Sequence, residues 1–492
     1  MLGWLKRIMG DRQALRASDF CRRPFWLRSR YDAAATTDNN RRHWLFADGL
    51  SANAANSPQV RRTLRNRARY EVANNSYARG IALTLANDVI GTGPRLQLLS
   101  EDPDANRRIE REFWRWARTV RLAETLRTMR QACAEDGEAF AIFTSNDRLP
   151  GAIKLDLRLV EADQVTTPEL LLNNPAAVDG IVFDTDGNPV TFHVLKEHPG
   201  DTHIVSFNQE YDRIPAEVMI HLFRVDRPGQ ARGVPELTPA LPLFAMLRDY
   251  SLATLDAAKA AAYFSGIIYT DSPPNGESDA VEPMDPIELE RNTLMTMPGG
   301  WRMSQLHAEH PSGTYAEFKR EILNEIARCL NMPFNIAAGN SSGYNYASGR
   351  LDHQTYFKSI RVEQSHIEAV VLDRILAAWF DEAALIPGLL SEGLGLIGEL
   401  EHQWFWDGHE HVDPAKEANA QATRLANHTT TLADEYARRG LDWESQLRQR
   451  AKERQLMQEL GLSTADLFTP NDEDDELDGD EAEETSTAAA AA

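Results

Sequence analysis

The 492-residue chain has three cysteines, no apolar run long enough to cross a bilayer, and none of the common catalytic signatures. Cys21, Cys133 and Cys329 lie far apart and form no CxxC, which argues against a disulfide framework or a zinc knuckle. The best membrane candidate, residues 241–269, is interrupted by Arg248, Asp249, Asp256 and Lys259, and a span needs about 18 apolar residues in a row. Residues 1–10 lack a signal-peptide apolar core and cleavage site, so a reduced, cytoplasmic setting without a membrane is expected. GxSxG, HExxH, P-loop and H-R-D patterns are missing, and no internal repeat is visible. The chain is therefore not expected to be an enzyme or to carry a cofactor.

What is present is a chain with 42% hydrophobic residues, able to bury a core, whose length suggests about three domains. Its net charge of −22 is unevenly spread. Residues 1–70 carry 15 Arg and Lys against 5 Asp, residues 471–492 carry ten acids and no base, and the body between remains strongly acidic. Proteins that grip DNA present the opposite sign, because each neutralised phosphate releases counterions. Either nucleic acid is no partner, or it passes close by without sticking.

The pattern along the chain is α+β and largely helical. Residues 1–60, with aromatic islands at Phe25-Trp26 and Trp44-Leu45-Phe46, read as an arm that orders on a partner; the acidic tail reads as disordered. Tyr77, Ile81, Leu85 and Val89 predict one helix over about 60–90, stopped by Gly91 and Gly93, and Phe113, Trp114 and Trp116 mark a second near 105–118. Residues 153–159 alternate, placing Ile153, Leu155, Leu157 and Leu159 inward on a strand. Asp186-Gly187-Asn188 signals a hairpin, and residues 218–223 another strand. Beyond Pro235, residues 239–266 form a long Ala-rich helix, with Leu243, Leu247, Tyr250, Ala253 and Ala257 on one side. A Pro- and Gly-broken insertion follows at 267–312, with short strands at 267–269 and 294–297. A second helix at about 314–331 gathers Phe318, Ile322, Leu323, Ile326 and Leu330 on one face. Residues 333–349, with three Gly, three Asn and three Ser, read as a flexible polar loop. A long helix to about Phe380 buries Phe357, Ile360, Ile367, Val371 and Ile375. Asp413-Pro414 and Asp442-Trp443 start the last helices, and Gly440 and Gly461 stop them.

Few segments suggest chemistry. His402, His409 and His411 could share a metal, but no acid or Cys stands at ligand spacing, and a packing turn is the better reading. Gly91-Thr-Gly93-Pro94 imitates a phosphate loop, yet it follows a helix, and Pro94 removes a donor. Asp136 and Glu138 could pair as catalytic carboxylates, but their neighbours indicate a turn entering a strand. The basic run 61–69 suits nucleic acid or, equally, docking between subunits. The loop at 333–349 stands out, because long loops tend to be functional. Asn340, Ser341, Ser342, Asn345 and Ser348 offer neutral hydrogen-bonding groups, and Tyr344 and Tyr346 can stack.

Several stretches taken together resemble one family. Tyr31-Asp-Ala-Ala, Arg67-Ala-Arg, Asn74-Asn, Ala78-Arg-Gly and Val89-Ile-Gly-Thr-Gly-Pro-Arg come first. Gly137-Glu-Ala-Phe, Leu159-Val-Glu-Ala-Asp-Gln-Val, His221-Leu-Phe-Arg and Arg227-Pro-Gly-Gln-Ala-Arg-Gly-Val-Pro follow. Met297-Pro-Gly-Gly, Asn345-Tyr-Ala-Ser-Gly-Arg350 and Val412-Asp-Pro-Ala-Lys-Glu417 complete the order. From about 31 to 463 this is similar to the lambda-type portal proteins of tailed phages. The resemblance implies a ring, twelve subunits in the virion, at one capsid vertex. Double-stranded DNA is packaged and ejected through it, terminase and the head-tail connector dock on it, and the major capsid and scaffold proteins surround it; no membrane is involved.

The resemblance also implies a domain plan: an arm at 1–60, a wing at 61–235, stem helices at 236–266 and 313–332, and a clip at 267–312. A tunnel loop at 333–349, a long helix with wing return at 350–412, a crown at 413–463 and an acidic tail at 464–492 follow. Asn340, Ser341, Ser342, Tyr344, Asn345 and Tyr346 would face DNA, while Arg350, Asp413, Pro414 and Lys416 are family-motif positions. Ser341-Ser-Gly departs from the acidic residue that relatives tend to carry there. An acidic channel agrees with this reading, since attraction to every phosphate would stall passage. The alternatives are another oligomeric capsid or adaptor protein, or a phage-associated hydrolase.

Overall fold

Serines and an asparagine begin the architecture. In the computed structural model, which describes residues 38, 41–100, 102–167, 177–201, 210–263, 267–270, 301–304, 314–343, 345–390, 401–408 and 414–461, Ser51 caps α1 (Ala52–Ala55) and Ser57 caps α2 (Pro58–Asn74). Asn75 is extended, and its side chain accepts from the N–H groups of Tyr77 and Ala78 to cap α3 (Ser76–Ile90). The single helix expected over 60–90 is therefore two, because the same asparagine ends one and starts the next. Gly91, at φ +56, closes α3 as expected. Then come β1 (Arg95–Leu98), α4 (Pro103–Thr119) and α5 (Leu122–Asp136), followed by β2 (Glu138–Ser145), β3 (Leu155–Val160), β4 (Ala177–Val178), β5 (Ile181–Phe183), β6 (Pro189–Leu195), β7 (Tyr211–Pro215) and β8 (Met219–Phe223).

Two antiparallel sheets arise, ordered β3-β2-β8 and β4-β5-β6-β7. Side-chain alternation gives the first sheet two faces. Ala139, Ala141, Ile220, Leu222 and Leu155 join a core made with α2 to α5. Phe140, Ile142, Met219 and Val160 turn the other way, onto Phe192, Val194, Ile181 and Val165 of the second sheet and its approach. The strand expected at 153–159 holds inward at Ile153 and Leu155, but Leu159 is left 37% exposed. Alternation sets a face; the helices behind decide how much of it is covered.

The second half contains α6 (Leu241–Tyr263), β9 (Ile267–Thr270), β10 (Trp301–Ser304), α7 (Tyr315–Cys329), α8 (Phe334–Ala338) and α9 (Tyr346–Ile367). A π-helical stretch (Glu368–Leu372), α10 (Asp373–Ala383), β11 (His402–Phe405), α11 (Pro414–Ala426), α12 (Leu432–Ala437) and α13 (Trp443–Glu459) follow. α6 and α7 run together: Tyr250 meets the rings of Tyr315 and Phe318 at 5.5 and 5.0 Å, and the hydroxyl of Tyr315 donates to Ser251 Oγ at 3.2 Å. Phe318, expected on the buried face, is 51% exposed, whereas Leu323 and Ile326 are buried. The strand at 267 pairs with β10; the one expected at 294–297 lies outside the described residues. The aromatic segment opens at His402 as a strand, β11, paired antiparallel with β1, and the turn expected beyond it runs into residues outside the described ones. Trp404 and Trp406 of this segment pack on the main core, which repays the pairing.

Candidate functional site

The basic run of α2 turns inward. Arg61, Arg65 and Arg69 recur every four residues and so lie on one helical face, where Arg61 and Arg65 are fully buried in their own chain. Neither nucleic acid nor a neighbouring subunit reaches those two guanidinium groups, whereas Arg62 and Arg67 of the same run face outward and stay available to either. They meet Glu138, a carboxylate with no exposure. Arg232 donates to it from Nε at 2.9 Å and Nη2 at 2.7 Å, the Gly233 N–H at 3.1 Å, and His221 Nε2 lies at 2.9 Å; Arg65 pairs with it as well. Burial opposes the charge on Glu138, but Arg232, His221 and Arg65 outweigh it and hold this carboxyl well below its usual range.

The network spreads from there. Arg65 Nη1 reaches Asp163 at 3.1 Å, and Arg69 forms a fork with Asp136 at 2.6 and 2.9 Å and touches Asp163 at 2.8 Å. Arg61 pairs with Asp179. Burial, with repulsion from Arg232, lowers Arg61 to about 10. Arg232 also donates to the carbonyls of Val165 at 2.9 Å and Ala162 at 3.2 Å. His221 is stacked between Phe140 and Phe223, each centroid 4.3 Å away, and burial pushes it below its ordinary pKa. Gly137 and Gly233 make the approach feasible: a Cβ on Gly233 would sit 2.0 Å from the Gly137 carbonyl oxygen. The motifs scattered at 67–69, 137–140, 159–165, 221–224 and 227–235 thus converge on one buried node. Asp136 and Glu138 serve as arginine counter-ions in it.

A smaller node ties the helices. Arg130 Nη2 donates to Glu236 at 2.8 Å and to Glu363 at 3.2 Å, joining α5 to the entry of α6 and to α9.

The polar segment is shorter than its composition indicates. Pro333, at φ −64, starts α8, and Phe334 and Ala337 bury against the core; only residues 339–345 connect α8 to α9. Asn and Ser content disguised a helical turn whose apolar residues are Phe, Ile and Ala. Within the connection, Gly339 is left-handed at φ +60, Asn340 N–H donates to the Asn335 carbonyl, and Ser342 N–H donates to Asn340 Oδ1 at 2.9 Å. Asn340, Ser341, Ser342 and Asn345 are exposed, as is Arg350 one turn into α9. Tyr344 lies outside the described residues, and Tyr346 is the first residue of α9. Both flanks are fixed: Asn335 Nδ2 lies 2.9 Å from His353 Nε2, the hydroxyl of Tyr356 donates to Asp88 at 2.7 Å, and Gln364 donates to the Val89 carbonyl at 2.9 Å. A short uncharged tip is thus held between rigid helices.

At Gly91-Thr-Gly93, the carboxylate of Asp407 accepts from the Thr92 N–H at 2.5 Å and the Thr92 hydroxyl at 2.8 Å, so the loop receives an anion of its own chain. His402 Nε2 lies 3.2 Å from Asp373 Oδ1; His409, His411 and Asp413 lie outside the described residues. Pro414 starts α11, and Lys416 follows on its first turn. Sequence spacing did not reveal that Glu161, Asp163 and His198 meet. Arg65 and Arg69 already balance Asp163, which disfavours a cation there. The described part of the arm packs on its own chain: Asn53 exchanges hydrogen bonds with Gly229 and Ala231 at 3.0 and 2.9 Å, while Trp44, Leu45 and Phe46 remain exposed. The arm thus needs no partner from about residue 50 onward.

Residues 38–364 match the profile of phage portal proteins, lambda family. The chain is 27% identical over 432 residues to a probable portal protein of Halomonas phage phiHAP-1, covering 81% of each. It is 18% identical over 365 residues to portal protein B of Escherichia phage lambda, covering 67% of this chain and 68% of that one. Among solved structures, the neck of a native GTA particle is 13% identical with a TM-score of 0.45, covering 78% of this chain and 94% of the other. The family expected from the ordered motifs is the one found: the chain belongs to the lambda family of phage portal proteins, with a capsid portal role and an α+β fold.

Proposed function

We propose that copies of this chain, twelve in the virion, close into a ring at one capsid vertex and form the channel through which double-stranded DNA enters and leaves. The observation that carries this reading is the family match over 38–364, which contains the α6, β9-β10 and α7 unit together with the connection at 339–345. α6 supports it physically. Its first turns bury Leu241, Phe244 and Leu247, but Leu252 and Leu255, which share a face further along, are 54% and 51% exposed. An apolar helix face left open in one chain suits an adjacent copy.

In this reading residues 61–235 are the wing, stiffened by the Glu138 node. α6 and α7 are the stem, 267–312 the clip and 413–463 the crown. The tunnel loop narrows to 339–345, whose neutral groups exchange phosphate contacts for water at little net cost, a neutral hydrogen bond being worth about 0.5–1.5 kcal/mol net. Terminase, the head-tail connector, and the capsid and scaffold proteins are the docking partners, and the ring itself performs no catalysis. Among the described residues no helix is long and apolar enough to cross a membrane.

Native mass spectrometry with negative-stain imaging tests the assembly. A ring of about a dozen subunits supports it; a chain that stays monomeric or dimeric across salt and concentration refutes it. Complementation of a portal-defective phage, scored by packaged DNA, tests the channel.

A further inference from the structure

The molecule carries a basic groove that the portal reading does not use. It lies where α4 gives way to α5 beside β1, has a volume of about 420 Å³, and is lined by Arg95, Arg118, Arg121 and Arg127 with Trp114 and a single acid, Glu124. That size falls within the range of ligand clefts. Four guanidinium groups on one small surface are exceptional in a chain of net charge −22. Trp114 is 50% exposed, with Arg118 over its ring at 4.8 Å, so the groove offers an apolar plate inside a positive rim. Arg121 sits in the left-handed region at φ +53 and lies 3.4 Å from Glu124, so three of the four guanidinium groups face no acid of the groove itself. Arg127 and Arg95 are anchored on the Gly91 and Gly440 carbonyls at 2.6 and 3.3 Å, which fixes the walls.

We propose that this groove receives the chain's own acidic segment, residues 472–484. That segment holds ten carboxylates around one large apolar residue, Leu477. Arg forks pair with carboxylates in two-pronged geometry, and Leu477 suits the Trp114 face. The chain is long enough to return. Asp442, which caps α13, accepts from Gln97 Nε2 at 2.7 Å, two residues from Arg95 at the groove. The 17 residues of α13 lead away by about 26 Å. The eleven steps from Gly461 to Asp472 reach back by up to about 36–40 Å. The groove is thereby shielded from DNA phosphates and other anions during assembly.

The test uses the full-length protein. The R118K/R121K variant keeps both charges and supplies amines that a carbodiimide joins to carboxylates in contact. Mass spectrometry is expected to find both positions joined to residues 472–484 of the same chain, with yield falling about fivefold between about 0.05 and 0.5 M salt, as screening predicts. Beyond a local link to Glu124, coupling to a segment other than the tail, coupling only between isotopically distinct chains in a mixed sample, or no coupling to the tail would each overturn the proposal. Unmodified protein gives a second reading. Deleting 471–492 should speed hydrogen exchange of the 118–124 amides at least about threefold, as an uncovered helix start opens locally more often. Unchanged exchange there would also overturn it.

Discussion

Replacing Arg232 with methionine removes a fully buried guanidinium while keeping most of its volume. Glu138 loses two of its shortest donors, and the carbonyls of Val165 and Ala162 lose theirs. Removing one member of a buried ion pair costs about 3–5 kcal/mol, because the remaining charge stays buried. Arg65, His221 and the Gly233 N–H still hold Glu138, which keeps the expected loss near the lower half of that range. Urea denaturation at fixed protein concentration measures the cost, with Arg62→Met, an exposed neighbour on α2, as a control expected within about 0.5 kcal/mol of wild type. Hydrogen exchange should show where the loss falls. Val165 bridges to Val194, and Arg232 binds the Asp179 carbonyl, so β5 and β6 should lose protection before α6 and α7. A cost under about 1 kcal/mol, or protection lost evenly over both halves, would refute the account of a node that joins two sheets.

Ser342→Lys should leave folding and rings intact while reducing packaged DNA in a salt-dependent way, since each subunit would add one positive charge at the channel; packaging equal to wild type would reduce 339–345 to a connector. Deleting residues 1–60 should weaken ring formation, because it strips Trp44, Leu45 and Phe46 from an exposed position, whereas deleting 471–492 should not; sedimentation of both truncations decides. His221 is held neutral below its ordinary 6.5 by burial, so as pH falls from 7 to 5 the unfolded chain takes up a proton that the folded chain refuses. Glu138, Asp163 and Asp179, held low mainly by arginines against their burial, add a second loss below about pH 4, partly offset by Asp136, which burial raises. Burial also raises Glu110, Glu135, Glu363 and Glu368, which oppose both losses, so the readout is differential. The melting midpoint of His221→Gln should fall less steeply than that of wild type from pH 7 to 5 and run parallel to it below about pH 4; parallel profiles throughout would contradict this.

Elements carried by periodic apolar residues were legible in advance. α7, apart from Phe318, and the α9–α10 helix follow their stripes, and the 186–188 hairpin follows its turn residues. Family membership was legible too, because ordered short motifs need no coordinates. What could not be read was where charges go. A run of arginines looks alike on a DNA-binding surface and in a core, and its partners Asp136, Glu138, Asp163 and Asp179 lie about 70 to 120 residues away. α8 was hidden by the reverse effect, in which Asn, Ser and Gly signal a loop although Phe334 and Ala337 are buried. Asn75 acts as a break only because it is extended, which apolar spacing does not encode.

The open flank of α6 has a thermodynamic consequence. Leu252 and Leu255 are left open by the described residues and gain burial when an adjacent copy covers them, at about 25 cal/mol for each Å² of apolar area removed from water. The stability of that helix is then governed by mass action, not by the chain alone. Diluting the protein should loosen α6 beyond Tyr250 while the Glu138 node, satisfied within one chain, holds its two sheets together. The node is finished by its own sequence; the flank of α6 is finished by its concentration.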